Sequence, residues 1–106
     1  MKLFISGYIN SIPEKFNEFE LVSNIMEATD VLILPGGLGT MHDLFKSVND
    51  GKRVIVYNKD FFYTPIIKKL FELYEEGIEL RRPSEYMEIE SEMDEIIKKL
   101  EEDKYE

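Results

Sequence analysis

The sequence has no cysteine, no tryptophan and only one histidine. Without cysteine there are no disulfide bonds and no thiol chemistry, which fits a protein of the reducing cytoplasm. One histidine and scattered acidic residues do not make the ligand cluster of a metal site. We therefore expect neither a bound metal nor a cofactor.

Basic residues are also scarce: 13 lysines and arginines stand against 22 acidic residues, which gives a net charge of -9. Nucleic acids and anionic membranes bind basic surfaces, so we expect neither as a partner. No run reaches the roughly 18 apolar residues that a membrane span requires. The first residues also lack the apolar core and cleavage site of a signal peptide, which again indicates a cytoplasmic protein. A small anion is not excluded, because backbone N–H groups bind anions locally.

The apolar residues form an alternating pattern of strands and helices. Short apolar runs predict strands at residues 2–6, 31–34, 53–57 and 85–89. Spacings of three and four predict helices over residues 11–28, from the glycines to Asn49, from Thr64 (N-cap) and Pro65 to Gly77, and over 91–100. Such alternation predicts an α/β fold, namely a Rossmann-like parallel sheet of about four strands with helices on both faces. We expect one domain, residues 1–106, whose small core favours self-association.

Three of the six glycines fall within the stretch PGGLGT, residues 35–40, between a predicted strand and a predicted helix. In open parallel sheets, ligands bind beyond the carboxyl ends of the strands. Glycines there let the backbone approach a ligand and adopt positive φ, and the helix N-terminus favours a phosphate. The hydroxyl of Thr40 would add a further contact. The spacing matches neither the dinucleotide-binding fingerprint nor a P-loop.

A purely structural interpretation of the same stretch is a tight strand-to-helix connection. Thr40 would then be the N-cap of the helix, and Asp43 would complete a variant capping box. A simple turn requires one glycine rather than three, so we favour a ligand site. The two interpretations are compatible.

Two other segments are expected at the same edge of the sheet. Residues 6–8 end the first strand, where Tyr8 could stack on a base, although an ordinary turn explains them equally well. Asn58 follows the third strand. The candidate ligand-binding residues are Ser6, Gly7, Tyr8, Pro35, Gly36, Gly37, Leu38, Gly39, Thr40, Met41 and Asn58.

Several other residues favour less specific interpretations. His42 is expected at the surface or lining the site rather than contacting a ligand. Residues 61–63 form an aromatic loop that closes the pocket or, more simply, contacts a second subunit. Arg81 and Arg82 are expected in a solvated turn, the alternative being that they reach a phosphate in a neighbouring chain. The tail, residues 101–106, is expected to be solvated and frayed.

The segment PGGLGTMHD, residues 35–43, resembles the P-G-G-x-G-T-x-x-E signature of the LONELY GUY family, once described as lysine decarboxylases. The stretch KRVIVYNKDFFYTPIIKKLFELYEEGI is similar to the strand, loop and helix after that signature, so the resemblance covers roughly residues 21–101. It implies a Rossmann-like fold, a dimer or larger assembly, and cleavage of nucleoside 5′-monophosphates to a base and ribose 5-phosphate. Related SLOG domains of bacterial defence systems bind nucleotide-derived signals instead.

Three differences from the family pattern bear on catalysis. Asp43 replaces the signature glutamate and reaches one methylene less far. The arginine that the family carries before the signature strand is missing, since the first arginine of this sequence is Arg53. Arginine stabilises the charge that develops on a phosphate or leaving group. The family's N-terminal half, with a second glycine-rich phosphate loop, has no counterpart here.

These differences predict a protein that binds a phosphate-bearing nucleotide or an ADP-ribose-like signalling molecule at the PGGLGT loop without turnover. It would be a sensor, or a sponge of the kind that phages use against host defence. The first alternative is a small phosphoribohydrolase with Asp43 as its catalytic carboxylate. The second alternative is a structural or regulatory oligomer with a vestigial pocket. In each case we expect a homo-oligomer.

Overall fold

A four-stranded parallel sheet forms the centre of the computed structural model, which describes residues 1–8 and 13–104. The strands are adjacent in the order of the sequence: β1 Leu3–Ser6, β2 Asp30–Ile33, β3 Arg53–Tyr57 and β4 Glu88–Glu90. The three α-helices are α1 Leu38–Asn49, α2 Thr64–Glu75 and α3 Met93–Lys104. The predicted Rossmann-like α/β fold is confirmed.

The sheet separates two hydrophobic cores. On one face, Val31 and Ile33 of β2 pack with residues of α1 and α2. On the other face, Leu32 of β2 packs with Ile96 and Leu100 of α3. All four residues of β2 are buried, which explains why the residues after Asp30 form a continuous apolar run rather than an alternating pattern.

The helix predicted over residues 11–28 is wrong where the structure describes the segment, from residue 13 onward. The chain forms two short 3-10 helices there, Glu14–Glu18 and Ile25–Glu27. Between them, Leu3 of β1 donates its N–H to the carbonyl of Glu20 and accepts from the N–H of Val22, both at 2.9 Å. Phe16 and Phe19 pack on the α3 face, whereas Val22 and Ile25 pack on the α1 face. A single straight helix cannot pack against both faces of the sheet. The segment therefore crosses the edge of the sheet.

The last strand and the last helix lie a few residues later in the sequence than predicted. Pro83–Glu85 form a 3-10 turn, so β4 is three residues long and begins later than predicted. Helix α3 extends to Lys104, and the predicted fraying is wrong as far as that residue. Glu101 pairs with Lys15 at 3.0 Å, and Asp103 forms an ion pair with Arg53. Residues 105–106 lie outside the described part of the chain.

The C-terminal ends of α1 and α2 follow the local signals closely. Gly51 and Gly77 lie just beyond the two helices with φ of 74° and 77°, as expected of glycines that end helices. Thr64 is the first residue of α2 rather than its N-cap, which is Tyr63. Within residues 1–8 and 13–104, no helix is both long and apolar enough to cross a membrane.

Candidate functional site

The segments that follow β1, β2 and β3 meet at the carboxyl edge of the sheet. Leu34 donates its N–H to the carbonyl of Ser6 at 2.8 Å, and Tyr8 donates its N–H to the carbonyl of Pro35 at 2.7 Å. From the β3 side, the hydroxyl of Tyr63 donates to the carbonyl of Leu34 at 2.5 Å. The structure therefore brings the three candidate segments together around residues 34–40, here called the glycine loop.

Two glycines at this edge are required by the packing of the chain itself. Gly7 has a φ of 119°, and a Cβ there would lie 2.6 Å from the carbonyl oxygen of Leu34. A Cβ on Gly36 would collide with the side chain of Thr40 and lie 3.1 Å from Cα of Gly7. Gly7 and Gly36 thus allow the ends of β1 and β2 to approach each other closely.

The other two glycines of the loop have no such requirement. Gly37 and Gly39 are exposed, and apart from the adjoining residues and the backbone of α1 no described atom lies within 4 Å of the position of an added Cβ. Gly36, Gly37 and Gly39 all lack positive φ, so the predicted left-handed conformation in this loop is wrong. Gly37 is the N-cap of α1, a position at which glycine is among the preferred residues, whereas neither the packing nor the φ of the described chain explains glycine at position 39.

The N-terminus of α1 lies in the same loop and has no cap from a side chain. Gly37 is the N-cap, so the N-cap residue has no side chain that could accept a hydrogen bond from the first N–H groups of the helix. The first turn of α1 also contains no acidic residue. The first helical hydrogen bond runs from the N–H of Met41 to the carbonyl of Gly37, at 3.1 Å. The N–H groups of residues 38–40 therefore have no acceptor within the helix. The predicted N-cap role of Thr40 is wrong, because the helix begins two residues before it.

A buried hydroxyl–carboxylate cluster links β1 to α1 beside the loop. The hydroxyl of Ser6 donates to Oδ2 of Asp43 at 2.6 Å and lies 3.4 Å from Oγ1 of Thr40. Ser6 and Thr40 are buried, whereas Asp43 is half-buried. The cluster fixes the carboxylate of Asp43 in one orientation, and it places the Thr40 hydroxyl in the interior.

His42 does not join this cluster. It is exposed on α1, where it lines a surface cavity of about 430 Å³ together with Phe45, Lys46 and Asp50. Neighbouring residues of a helix point about 100° apart, which explains why His42 and Asp43 separate. Among the described residues, no three histidine or acidic side chains are grouped so that they could hold a metal ion.

Asn58 lies at the predicted edge, but its side chain is occupied by the turn into α2. Its Oδ1 accepts the N–H of Tyr63 at 2.7 Å, and its Nδ2 donates to Oγ1 of Thr64 at 3.0 Å. Asn58 is buried and holds the loop between β3 and α2 in shape. The side chain thus has a structural role, and a ligand contact of Asn58 is still a prediction.

Tyr63 has a role at this edge that differs from the pocket-closing or subunit contact predicted for the aromatic loop. Only Phe61 and Phe62 of the aromatic loop are exposed, whereas Tyr63 is buried and its ring packs edge-on against Phe62 at 4.8 Å. Burial raises the pKa of the Tyr63 hydroxyl, which donates to the β2 carbonyl described above. The spacing of Tyr63 to Ile66, Ile67 and Leu70 on the apolar stripe of α2 is the signal that indicates its burial.

All three arginines lie away from the glycine loop, because Arg53 begins β3 and the other two precede β4. Arg81 lies 5.0 Å above the ring of Tyr86, and Arg82 lies 5.5 Å above that of Tyr74. Both are exposed, as predicted for a solvated turn. Arg53 and Arg81 line a second cavity of about 370 Å³, toward the amino ends of the strands.

No protein-family model matches the chain, and no curated protein is significantly similar to it. The resemblance to the LONELY GUY family is thus still a prediction from the residues of the glycine loop and the segments that follow it.

Proposed function

We propose that this protein binds a phosphate-bearing nucleotide or an ADP-ribose-like signalling molecule at the glycine loop and does not turn it over. The observation that carries the proposal is the open space at Gly37 and Gly39. Nothing in the described chain occupies the position of a side chain there, and neither residue has the positive φ that favours glycine. A ligand that lies against the backbone gives these two residues a reason to be glycine.

The chemistry of the loop supports an anion as the part of the ligand bound there. The N–H groups of residues 38–40 precede the first hydrogen bond of α1. Together with the positive end of the helix dipole, such groups bind phosphate without a basic side chain. This mode of binding suits a chain of net charge -9, whose arginines lie elsewhere.

The aromatic part of a nucleotide has a matching contact in Tyr8. Its side chain is 75% exposed, and its backbone N–H is bonded to the carbonyl of Pro35 at 2.7 Å. An exposed ring whose backbone is bonded to the glycine loop is suited to stack on a base. We therefore assign the phosphate to the loop and the base to the side of β1.

Binding without turnover is supported because the carboxyl edge of the sheet lacks groups that catalysis needs. Cleavage of a glycosidic bond needs a carboxylate at the sugar and stabilisation of the departing charge. None of the segments that come directly after a strand contains an arginine. His42 lines the separate surface cavity beside Phe45. Asp43 is the one carboxylate in the cluster, and the hydroxyl of Ser6 already bonds to it.

That same hydrogen bond is the observation that favours the alternative, a phosphoribohydrolase. A carboxylate held at 2.6 Å by a buried hydroxyl has a fixed orientation beside the loop, as a catalytic group requires. Asp43→Asn separates the two functions. The enzyme would lose product formation by several orders of magnitude, whereas a binding protein would keep its affinity within a few-fold.

We further propose that the chain works as a homo-oligomer in the cytoplasm, as a sensor or a sequestering protein. The supporting features are the small core, the apolar side chains exposed on α1 and α2, and the lack of cysteine. A structural oligomer with a vestigial pocket is the second alternative, and it predicts no affinity for any nucleotide.

Calorimetric titration with AMP, ADP-ribose, ribose 5-phosphate and adenosine tests the proposal. We expect the three phosphate-bearing compounds to bind and adenosine to bind at least tenfold more weakly, because only the phosphate engages the N-terminus of α1. Equal affinity for AMP and adenosine would contradict a phosphate site. If no compound binds at millimolar concentration, the site itself is refuted.

A further inference from the structure

The loop between β3 and α2 contains two consecutive residues in the left-handed conformation. Asp60 and Phe61 have φ of 51° and 61°, although neither is glycine. For residues other than glycine this conformation is unfavourable, because Cβ approaches the backbone too closely. A phenylalanine there is rarer than an aspartate, whose short polar side chain tolerates the conformation.

Neighbouring hydrogen bonds hold the chain in this conformation. The N–H of Phe61 donates to the carbonyl of Asn58 at 3.3 Å, and the N–H of Phe62 donates to that of Lys59 at 2.9 Å. The buried Asn58 side chain and the buried Tyr63 fix the two ends of the loop. Strained backbone of this kind persists only where the surroundings determine it, and it concentrates where proteins bind ligands.

The strained conformation of Phe61 does not contribute to either hydrophobic core. The Phe61 side chain is 76% exposed and belongs to neither hydrophobic core, so folding gains little from its ring. A glycine would adopt the same backbone conformation without strain. The cores give no reason for phenylalanine at this position, and a contact outside the chain would supply one.

The position of the loop indicates which contact this is. β2 lies between β1 and β3, so the glycine loop has the exposed Tyr8 on one side and the exposed Phe61 on the other. Tyr63 ties the loop of Phe61 to the carbonyl that precedes Pro35. The strands β1 and β3, which precede the two residues, are two strand spacings apart, roughly 10 Å, and a gap of this order between aromatic side chains accommodates one planar ring.

We propose that Phe61 is a specificity residue that stacks on the base of the nucleotide held by the glycine loop, from the side opposite Tyr8. This inference rests on the proposed function, because the glycine loop must first hold the phosphate. It assigns the ligand class more narrowly: a phosphate that carries a planar aromatic base binds more tightly than the sugar phosphate alone.

The test is the variant Phe61→Gly, studied by calorimetry with AMP and ribose 5-phosphate and by thermal denaturation. We expect the melting temperature to rise by several degrees, because glycine relieves the strain. We expect the Kd for AMP to increase about 5- to 150-fold, the range for losing one base–aromatic stack, and the Kd for ribose 5-phosphate to stay unchanged. Phe45→Ala, which removes an exposed ring on α1 away from the loop, is the control and should change neither Kd.

The possible results separate this inference from the proposal on which it rests. If wild-type protein binds neither compound, the proposed function fails. If wild-type protein binds both and Phe61→Gly binds AMP equally well, the proposed function stands and the stacking role is refuted. Equal loss of affinity for both compounds, or dissociation of an oligomer, would also refute stacking and assign Phe61 to shaping the loop or to a subunit interface.

Discussion

Gly36 and Gly39 are three residues apart, but glycine is present at the two positions for different physical reasons. At Gly36 an added methyl group would collide with Thr40, so the chain's own packing requires glycine. At Gly39 an added methyl group would enter open space within the described structure. Substitution with alanine therefore distinguishes a glycine required by the fold from one required by a ligand.

Gly39→Ala should stabilise the fold and weaken ligand binding. Gly39 lies in the first turn of α1, where alanine is favoured over glycine by about 0.5–1 kcal/mol. The methyl group would occupy the space assigned to the phosphate, so we expect the Kd for AMP to increase by about tenfold, equivalent to ~1.4 kcal/mol. Thermal denaturation and calorimetry measure the two effects on the same sample.

Gly36→Ala is the matched comparison, and it should lower the melting temperature because Thr40 or β1 must move. If Gly39→Ala instead destabilised the protein and left the Kd unchanged, glycine at position 39 would be structural.

The sequence located the glycine loop correctly, but it could not distinguish these two glycines. The difference arises from the contact of Gly36 with Gly7 and Thr40, which depends on how β1 and β2 lie side by side.

Helix α3 and the strands beneath it are linked by a group of ion pairs at the amino end of the sheet. Nε of Arg53 donates to Glu88 on β4 at 2.6 Å, and the same guanidinium pairs with Asp30 on β2 at 3.5 Å and with Asp103 on α3. The Arg53 hydrogen bond lowers the pKa of Glu88. These contacts explain why the tail predicted to be frayed is helical as far as residue 104.

Glu88→Gln should lower the free energy of unfolding near pH 7 by about 1 kcal/mol, since the pair with Arg53 is only partly shielded from water. Because the folded-state pKa of Glu88 lies below its ordinary value of 4.5, its stabilising effect is present above that value. The effect disappears as the pH falls from there through the lower folded-state pKa. Urea denaturation between pH 7 and pH 3 should show the two proteins converging in acid.

Glu75→Gln, at an exposed position of α2, is the control and should differ from wild type by less than about 0.5 kcal/mol at any pH. A constant difference between Glu88→Gln and wild type down to pH 3 would show that the charge of Glu88 is not the cause. Local patterns predicted β1, β2, β3 and the C-terminal ends of α1 and α2 well, but they placed β4 too early and misassigned the N-caps of α1 and α2. They misled over residues 13–28, because the spacing of the apolar residues there reflects two faces of the sheet and not one face of a helix.

The whole molecule leaves apolar surface uncovered on the face of the sheet that carries α1 and α2. None of the twelve residues of α2 is fully buried, although Ile66, Ile67 and Leu70 contribute to the core. Phe71 on the same helix is 40% exposed. A second copy of the chain that covers α2 would bury this surface, as the small core led us to expect.

Sedimentation velocity at tens of micromolar protein should therefore show a dimer or a larger assembly, and Phe71→Glu should shift it toward the monomer. Lys68→Glu, at an exposed position of the same helix, introduces the same residue and controls for the added negative charge. A wild-type protein that sediments as a monomer throughout this range would contradict the predicted self-association. The sequence predicted the fold class, which is confirmed; it also predicts self-association, but it contains no signal for the surface that a second copy would cover.

The most direct test of the central claim is to recover the ligand. Stoichiometric protein is mixed with AMP, ADP-ribose or cyclic ADP-ribose variants, separated from free ligand, denatured by heat and analysed by chromatography. We predict that one of these compounds disappears from solution and returns unchanged when the protein is denatured. Accumulation of free base and ribose 5-phosphate beyond one equivalent would contradict binding without turnover and would make Asp43 a catalytic residue.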